Sequence, residues 1–165
     1  MSDSSALYDE DFLAWTRQQA TALRAAAKAG SNLRLDWEHL AEEVEDLGKS
    51  DRRELRSQIR RIIRHLVKLQ WSPAVDPRRR WRESIRDARS EIQDVLVDSP
   101  SLARELEDLV KEQTVRGIGE AVDDMADQGE QGSLDLRAVR RSSYSREQIL
   151  GDWFPPETAE PRSAE

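Results

Sequence analysis

The chain is expected to fold as an all-α protein, an antiparallel helical bundle of about five main helices followed by a short C-terminal helix. Three observations lead there. Apolar residues recur at helical spacing in nearly every segment. No stretch sustains the period-two alternation of a half-buried strand. Glycines, prolines and capping residues punctuate the chain at helix-length intervals. The composition agrees: 37% hydrophobic and 36% charged among 165 residues suits helices with one apolar stripe and charged outer faces.

Tyr8-Asp9 opens the first expected helix, with Asp9 as N-cap and Tyr8 placed to staple onto Leu13. Phe12, Trp15, Leu23 and Ala26 continue it, and Gly30 ends it. Asp36 caps a second helix that stops at Gly48; its inward face is expected to carry Leu33, Leu40, Val44 and Leu47. Ser50 or Asp51 starts a third, running to about Trp71 with Leu55, Ile59, Ile62, Leu66 and Leu69 on one face. Read as a tight turn, Gly48 to Ser50 packs these two helices antiparallel.

Pro73 and Pro77 then break the chain. Asp76-Pro77 and Ser99-Pro100 repeat one device, a capping side chain before a proline whose missing N–H costs nothing at a helix start. The first launches a helix with Trp81, Ile85, Ala88, Ile92, Val95 and Leu96 inward. The second launches a long one from Leu102 through Met125, closed by Gly129 and Gly132. Residues 133–143 show no clear period. Ser145-Arg-Glu-Gln148 is a capping box stapled by Tyr144 and Ile149, and this last short helix ends near Gly151. Residues 7–155 are expected to form a single helical-bundle domain, with 1–6 and 156–165 disordered.

No cysteine is present, so disulfides and thiolate metal sites are excluded. The first residues have neither a basic nor an apolar secretory region, and no apolar run approaches the ~18 residues that span a bilayer. A cytoplasmic protein with no membrane partner is the expectation. Net charge is −7, but residues 51–91 hold 13 Arg and Lys against 6 Asp and Glu, a net of +7 that leaves −14 for the rest. Such asymmetry signals either a basic surface for an anionic partner or helices of opposite charge that complement one another. The second is favoured, because an acidic protein attracts nucleic acid weakly at long range.

Glu43 and His65 are the leading candidate pair, each at the edge of an apolar face. If the 48–50 turn is tight they come together, as a structural hydrogen bond, a binding site, or a catalytic or metal site. The structural hydrogen bond is favoured. His39 stands three residues before Glu42 and four before Glu43, so His39, Glu42, Glu43 and His65 are weak metal candidates. The Glu-x-x-His order of di-metal bundles is reversed here and occurs once. The third helix carries Arg53, Arg56, Arg60, Arg61, Arg64 and Lys68 opposite its leucines, and Arg78 to Arg80 with Arg82 follow around Trp81. Arginines beside tryptophan suit phosphate contact and base stacking, although Trp81 is in register with the core positions Ile85 and Ala88. Phosphate loops, nucleophile elbows and zinc-protease motifs are all missing. Gly117 and Gly119, two helix-weakening residues in the long fifth helix, call for a kink or a close-packed neighbour.

Together Tyr8-Asp-x-Asp11-Phe12-x-x-Trp15, Leu35-Asp36-x-x-x-Leu40-x-Glu42-Glu43-x-Glu45, Ser57, His65-Leu66-x-Lys68, Trp81-x-x-x-Ile85-x-x-x-Arg89-x-x-Ile92, Ser99-Pro100-Ser101-Leu102 and Tyr144-Ser145-x-x-Gln148 form an ordered set. In order and spacing the chain from about Leu7 to Pro155 resembles a bacterial family known only as domain of unknown function number twenty-nine. The resemblance implies an almost wholly helical bundle and no established activity. It covers Glu42, Glu43 and His65 but not His39. The chain departs from the family pattern at Gly117 and Gly119, and at Ser142-Ser143, where a Cys-Pro often stands.

The functional expectation is a non-enzymatic interaction module whose partner is another protein, with no cofactor; Glu42, Glu43, His65, Arg61 and Lys68 are its candidate binding residues. One alternative is an acid–base or metal-dependent hydrolase centred on Glu43 and His65. A second is a nucleic-acid-associated protein that uses the arginine-rich third helix.

Overall fold

The computed structural model describes residues 4–157, and every regular element among them is helical. Helix α1 spans Ser4–Glu10, α2 Phe12–Lys28, α3 Trp37–Trp71 and α4 Arg78–Asp98. A 3-10 segment at Pro100–Glu105 leads into α5, Leu106–Asp127, and a shorter one at Gln131–Ser133 precedes α6, Leu136–Arg140, and α7, Arg146–Leu150. The all-α expectation holds. Among the described residues the chain forms two compact units: the first comprises the chain to Leu55 with Ile92–Leu106, the second Arg56–Glu91 with Glu107 to Glu157. Of the segments expected to be disordered, 1–3 and 158–165 lie outside the described residues, whereas Ser4 to Ala6 begin α1.

Several expected boundaries are corrected. The turn at 48–50 does not exist, because α3 continues through Gly48 and Ser50 for 35 residues. The N-cap of α2 is Asp11, not Asp9: its carboxylate accepts from Ala14 N at 2.9 Å. Tyr8 meets Phe12 and Trp15 edge-on, with centroids 5.8 and 4.9 Å away. Residues 133–143, expected to be irregular, contain α6, capped by Asp135. Ser99 makes no side-chain cap for the segment that follows it. The Asp36 cap and the Ser145–Gln148 capping box are present as expected.

In the first unit α2 and α3 run antiparallel. Arg24 near the end of α2 reaches Glu38 and Glu45, while Leu13 and Thr16 near its start lie over Gly48. A Cβ at Gly48 would fall on Thr16 Oγ1 and within 2.8 Å of Leu13 Cδ1, so the glycine that looks like a helix stop is a point of backbone approach. The buried face of this half of α3 is accordingly Ala41, Gly48 and Leu55. Ser99 joins the pieces: its hydroxyl accepts from Leu13 N at 3.1 Å and donates to Asp51 Oδ2 at 2.6 Å. Asp11 does the same for Ser101, accepting from its backbone N–H at 2.8 Å and its hydroxyl at 3.0 Å.

In the second unit α3 is the central helix. Ile59, Ile62, Ile63, Leu66, Val67 and Leu69 are all buried, a wider arc than one stripe. Arg61 meets Ser84 and Lys68 meets Trp81, so α4 runs antiparallel to α3. Arg56, Arg60 and Arg64 meet Glu112, Glu120 and Asp124 in ascending order, so α5 runs parallel to α3. The two helices are tightly packed at Gly117, where an added Cβ would lie 2.8 Å from Ile63 Cγ2 and 3.2 Å from the Arg60 carbonyl. Buried Arg89 secures the C-terminal segment. Its guanidinium donates to the carbonyls of Gln148, Ile149 and Trp153 at 2.9, 2.9 and 2.7 Å and lies 4.9 Å from the Phe154 ring.

Candidate functional site

Glu43 and His65 do not share a site. They stand on one unbroken helix, 22 residues apart, a rise of about 33 Å. Their apposition required a chain reversal at Gly48 that the tertiary structure replaces with helix packing. His39 is exposed and pairs with Asp36 one turn earlier, which holds the imidazole pKa above its ordinary value and lowers that of Asp36. Among the described residues no group of three or more His, Asp or Glu is gathered as metal ligands, so His39, Glu42, Glu43 and His65 form no such centre.

Two surfaces remain. On α3 in the first unit, Leu40 and Leu47 are 40% and 54% exposed, and Leu33 and Leu35 just before the helix are 64% and 51% exposed. This overturns the expectation that Leu33, Leu40 and Leu47 face the core. The physical reason is the small-residue face: Ala41 and Gly48 let α2 approach closely, and Arg24 bridges Glu38 and Glu45 on the same side. The leucine stripe is thereby turned outward. Glu42 and Glu43 are exposed beside it and form no ion pair among the described residues.

The second surface lies along α3 in the second unit, where the structure does bring Arg61, His65 and Lys68 to one side. Ser57, Arg60, Arg61, Arg64, His65 and Glu120 line a shallow cavity of about 390 Å³. Arg61 donates to Ser84 Oγ at 2.8 Å. Arg64 grips Asp124 through two nitrogens at 2.7 and 2.6 Å, and Lys68 donates to the same carboxylate at 2.8 Å. Burial opposes ionisation of Asp124, but those charged donors outweigh it and hold the carboxyl at about 2. His65 has the opposite fate. Burial, with Lys68, Arg64 and Arg61 nearby, lowers its imidazole to about 4, so it is neutral at physiological pH. Its Nδ1 is buried without a hydrogen-bond partner.

Arg64 and Lys68 also line a second cavity of the unit, about 520 Å³, with Ser72, Pro77, Trp81, Met125, Asp127 and Glu130. Asp124 and Glu130 were missed from sequence. Asp124 was legible as one rung of a ladder, since Glu120 and Asp124 repeat at the same four-residue spacing as Arg60 and Arg64 on α3. Glu130 had no such signal. It is placed by the turn that ends α5, in which Gly129 takes φ +76° and the N–H groups of Gly129 and Glu130 return to the carbonyls of Ala126 and Met125.

Several motif residues behind the family resemblance hold the fold together: Asp11, Ser99, Ser101, Arg89, Ser145 and Gln148 all make specific structural hydrogen bonds. The class defined is an all-helical protein without an assembled catalytic constellation among the sequence-predicted residues. The family described as Domain of unknown function DUF29 matches residues 7–154. The chain belongs to that family. It is also similar to a crystallised α-helical protein of unknown function from Rhodospirillum rubrum, at 27% identity and a TM-score of 0.68, over 87% of this chain and 88% of that one. No functionally curated protein matches it. No helix among the described residues is long and apolar enough to cross a membrane.

Proposed function

We propose that the protein is a non-enzymatic interaction module of the bacterial cytoplasm that docks an amphipathic helix of another protein on the outer face of α3. The observation that carries this is the outward leucine stripe. Trp37, Leu40, Val44 and Leu47 follow the 3-4-3 spacing of a coiled-coil seam, Leu40 and Leu47 are exposed, and Leu33 and Leu35 extend the apolar surface. Contiguous exposed apolar surface of this kind is uncommon on a monomer without a partner. One flank of the seam is closed by buried Ala41 and Gly48; the other presents Glu43. A partner helix with a basic flank complements that charge. A second copy laid antiparallel would set Glu43 against its own counterpart, so a different chain is the better fit.

Against a nucleic-acid role stands the engagement of the arginine face: Arg56, Arg60, Arg64 and Lys68 are held by Glu112, Glu120 and Asp124. The hydrolase alternative loses its paired residues. A photo-crosslinking amino acid at position 47, introduced in the native cell, tests the docking. The expected product joins Leu47's position to an amphipathic, basic-flanked helix of another protein. It is lost in Leu40→Glu, and weakened by Glu43→Lys but restored by the reciprocal charge change in the partner. Crosslinking to α3 of a second copy, or no product beyond that of an unrelated surface position, overturns the proposal.

A further inference from the structure

The 520 Å³ cavity of the second unit has the size of a small-molecule site, and its chemistry is independent of the leucine stripe. Trp81 and Pro77 line it together with the last turn of α5, Met125 included, and the residues after that turn. The positive charges on the wall are already committed. Arg64 and Lys68 together give Asp124 three short hydrogen bonds, and Lys68 lies 5.0 Å over the Trp81 ring. Two carboxylates remain, Asp127 and Glu130. Glu130 Oε2 is closed off from solvent and accepts no hydrogen bond, a costly state for a carboxylate oxygen unless a donor reaches it.

The backbone field has the same sign. The carbonyl end of a helix favours cations, yet α5 has no basic residue in its last turn. The end of α3 beside the same cavity is served differently, by the Arg78 guanidinium on the Leu69 and Ser72 carbonyls. An apolar aromatic wall and a buried carboxylate oxygen without a donor describe the same missing group.

We propose that this cavity binds a small organic cation, an ammonium or guanidinium group on an apolar stem, with Glu130 as the carboxylate that receives it and Trp81 as the surface for the stem. The full-length protein is titrated calorimetrically with n-butylammonium, butylguanidinium and butyrate at matched ionic strength, while the indole N–H of Trp81, assigned by Trp81→Phe, is followed by NMR. Saturable one-to-one binding of the cations, movement of the Trp81 resonance and no response to butyrate are expected. Glu130→Gln, verified as folded by its melting temperature, should weaken binding roughly tenfold or more, whereas the exposed Glu10→Gln of the first unit should not change it. Equal affinity of wild type and Glu130→Gln, or the same non-saturating heats for butyrate and the cations, overturns the site. Should Glu130→Gln fail to fold, the exposed Asp127→Asn makes the same comparison: weaker cation binding supports the site and unchanged binding overturns it.

Discussion

At Gly117 a methyl group would arrive 2.8 Å from Ile63 Cγ2 and 2.9 Å from Ile63 Cβ. At Gly119, two residues on, it would meet nothing within 4 Å. Sequence alone treats the two as one puzzle, a weak spot in a long helix; the structure separates them. Gly117→Ala should destabilise by about 1–3 kcal/mol, because a β-branched side chain and the Arg60 backbone carbonyl cannot both withdraw. Gly119→Ala should stabilise by about 1 kcal/mol through helix propensity. Melting curves of the two variants are the check, and shifts of equal sign would contradict this account. Gly48→Ala belongs with Gly117, since Thr16 occupies the space and its hydroxyl is fixed on the Leu13 carbonyl at 2.8 Å; a loss of about 1–3 kcal/mol is expected.

Among the elements, α3 departs furthest from expectation. Its second half was legible because Leu55, Ile59, Ile62, Leu66 and Leu69 are apolar at helical spacing and are all buried. Its first half was misread because leucines attract the inward assignment, whereas Ala41 and Gly48 form the contact face. A sequence pattern ranks faces by hydrophobicity, but helix approach also depends on how small the facing residues are. The C-terminal segment makes a second case. Its capping box was readable locally; what secures it is Arg89, 59 to 64 positions away in sequence from its three carbonyls. Arg89→Met should leave those carbonyls without their donor and cost about 3 kcal/mol or more. Accelerated proteolytic cleavage within 142–154 at unchanged helicity elsewhere would mark the loss as local, and wild-type cleavage rates would show the clamp to be dispensable.

For the molecule as a whole, acid stability should fall in two stages. The His65 imidazole, ordinarily near 6.5, is held at about 4 in the folded protein. Its contribution is therefore complete above pH 6.5 and lost as pH falls from there towards 4, because the unfolded chain takes up the proton first. Asp124 follows: ordinarily near 3.8 and held at about 2, its contribution is present above pH 3.8 and disappears as pH falls towards 2. The His65 shift corresponds to roughly 3 kcal/mol; that of Asp124, more open to solvent, contributes less. Denaturant unfolding across this range should show His65→Gln flattened between pH 6.5 and 4 and Asp124→Asn flattened only below pH 4; a wild-type slope in both variants would contradict the assignment. The fold class, the Asp36 cap, the Ser145–Gln148 capping box, the buried face of the central helix and the family resemblance were determined by the sequence, because periodicity and caps of this kind are local properties that neighbouring residues decide. The continuity of α3, the outward leucine stripe, the arginine ladder on α5 and the cavity at Glu130 were decided only by tertiary structure. Each depends on which distant side chain occupies the space beside a residue: Thr16 beside Gly48, Ile63 beside Gly117, Asp124 beside Lys68. No local pattern encodes that occupancy.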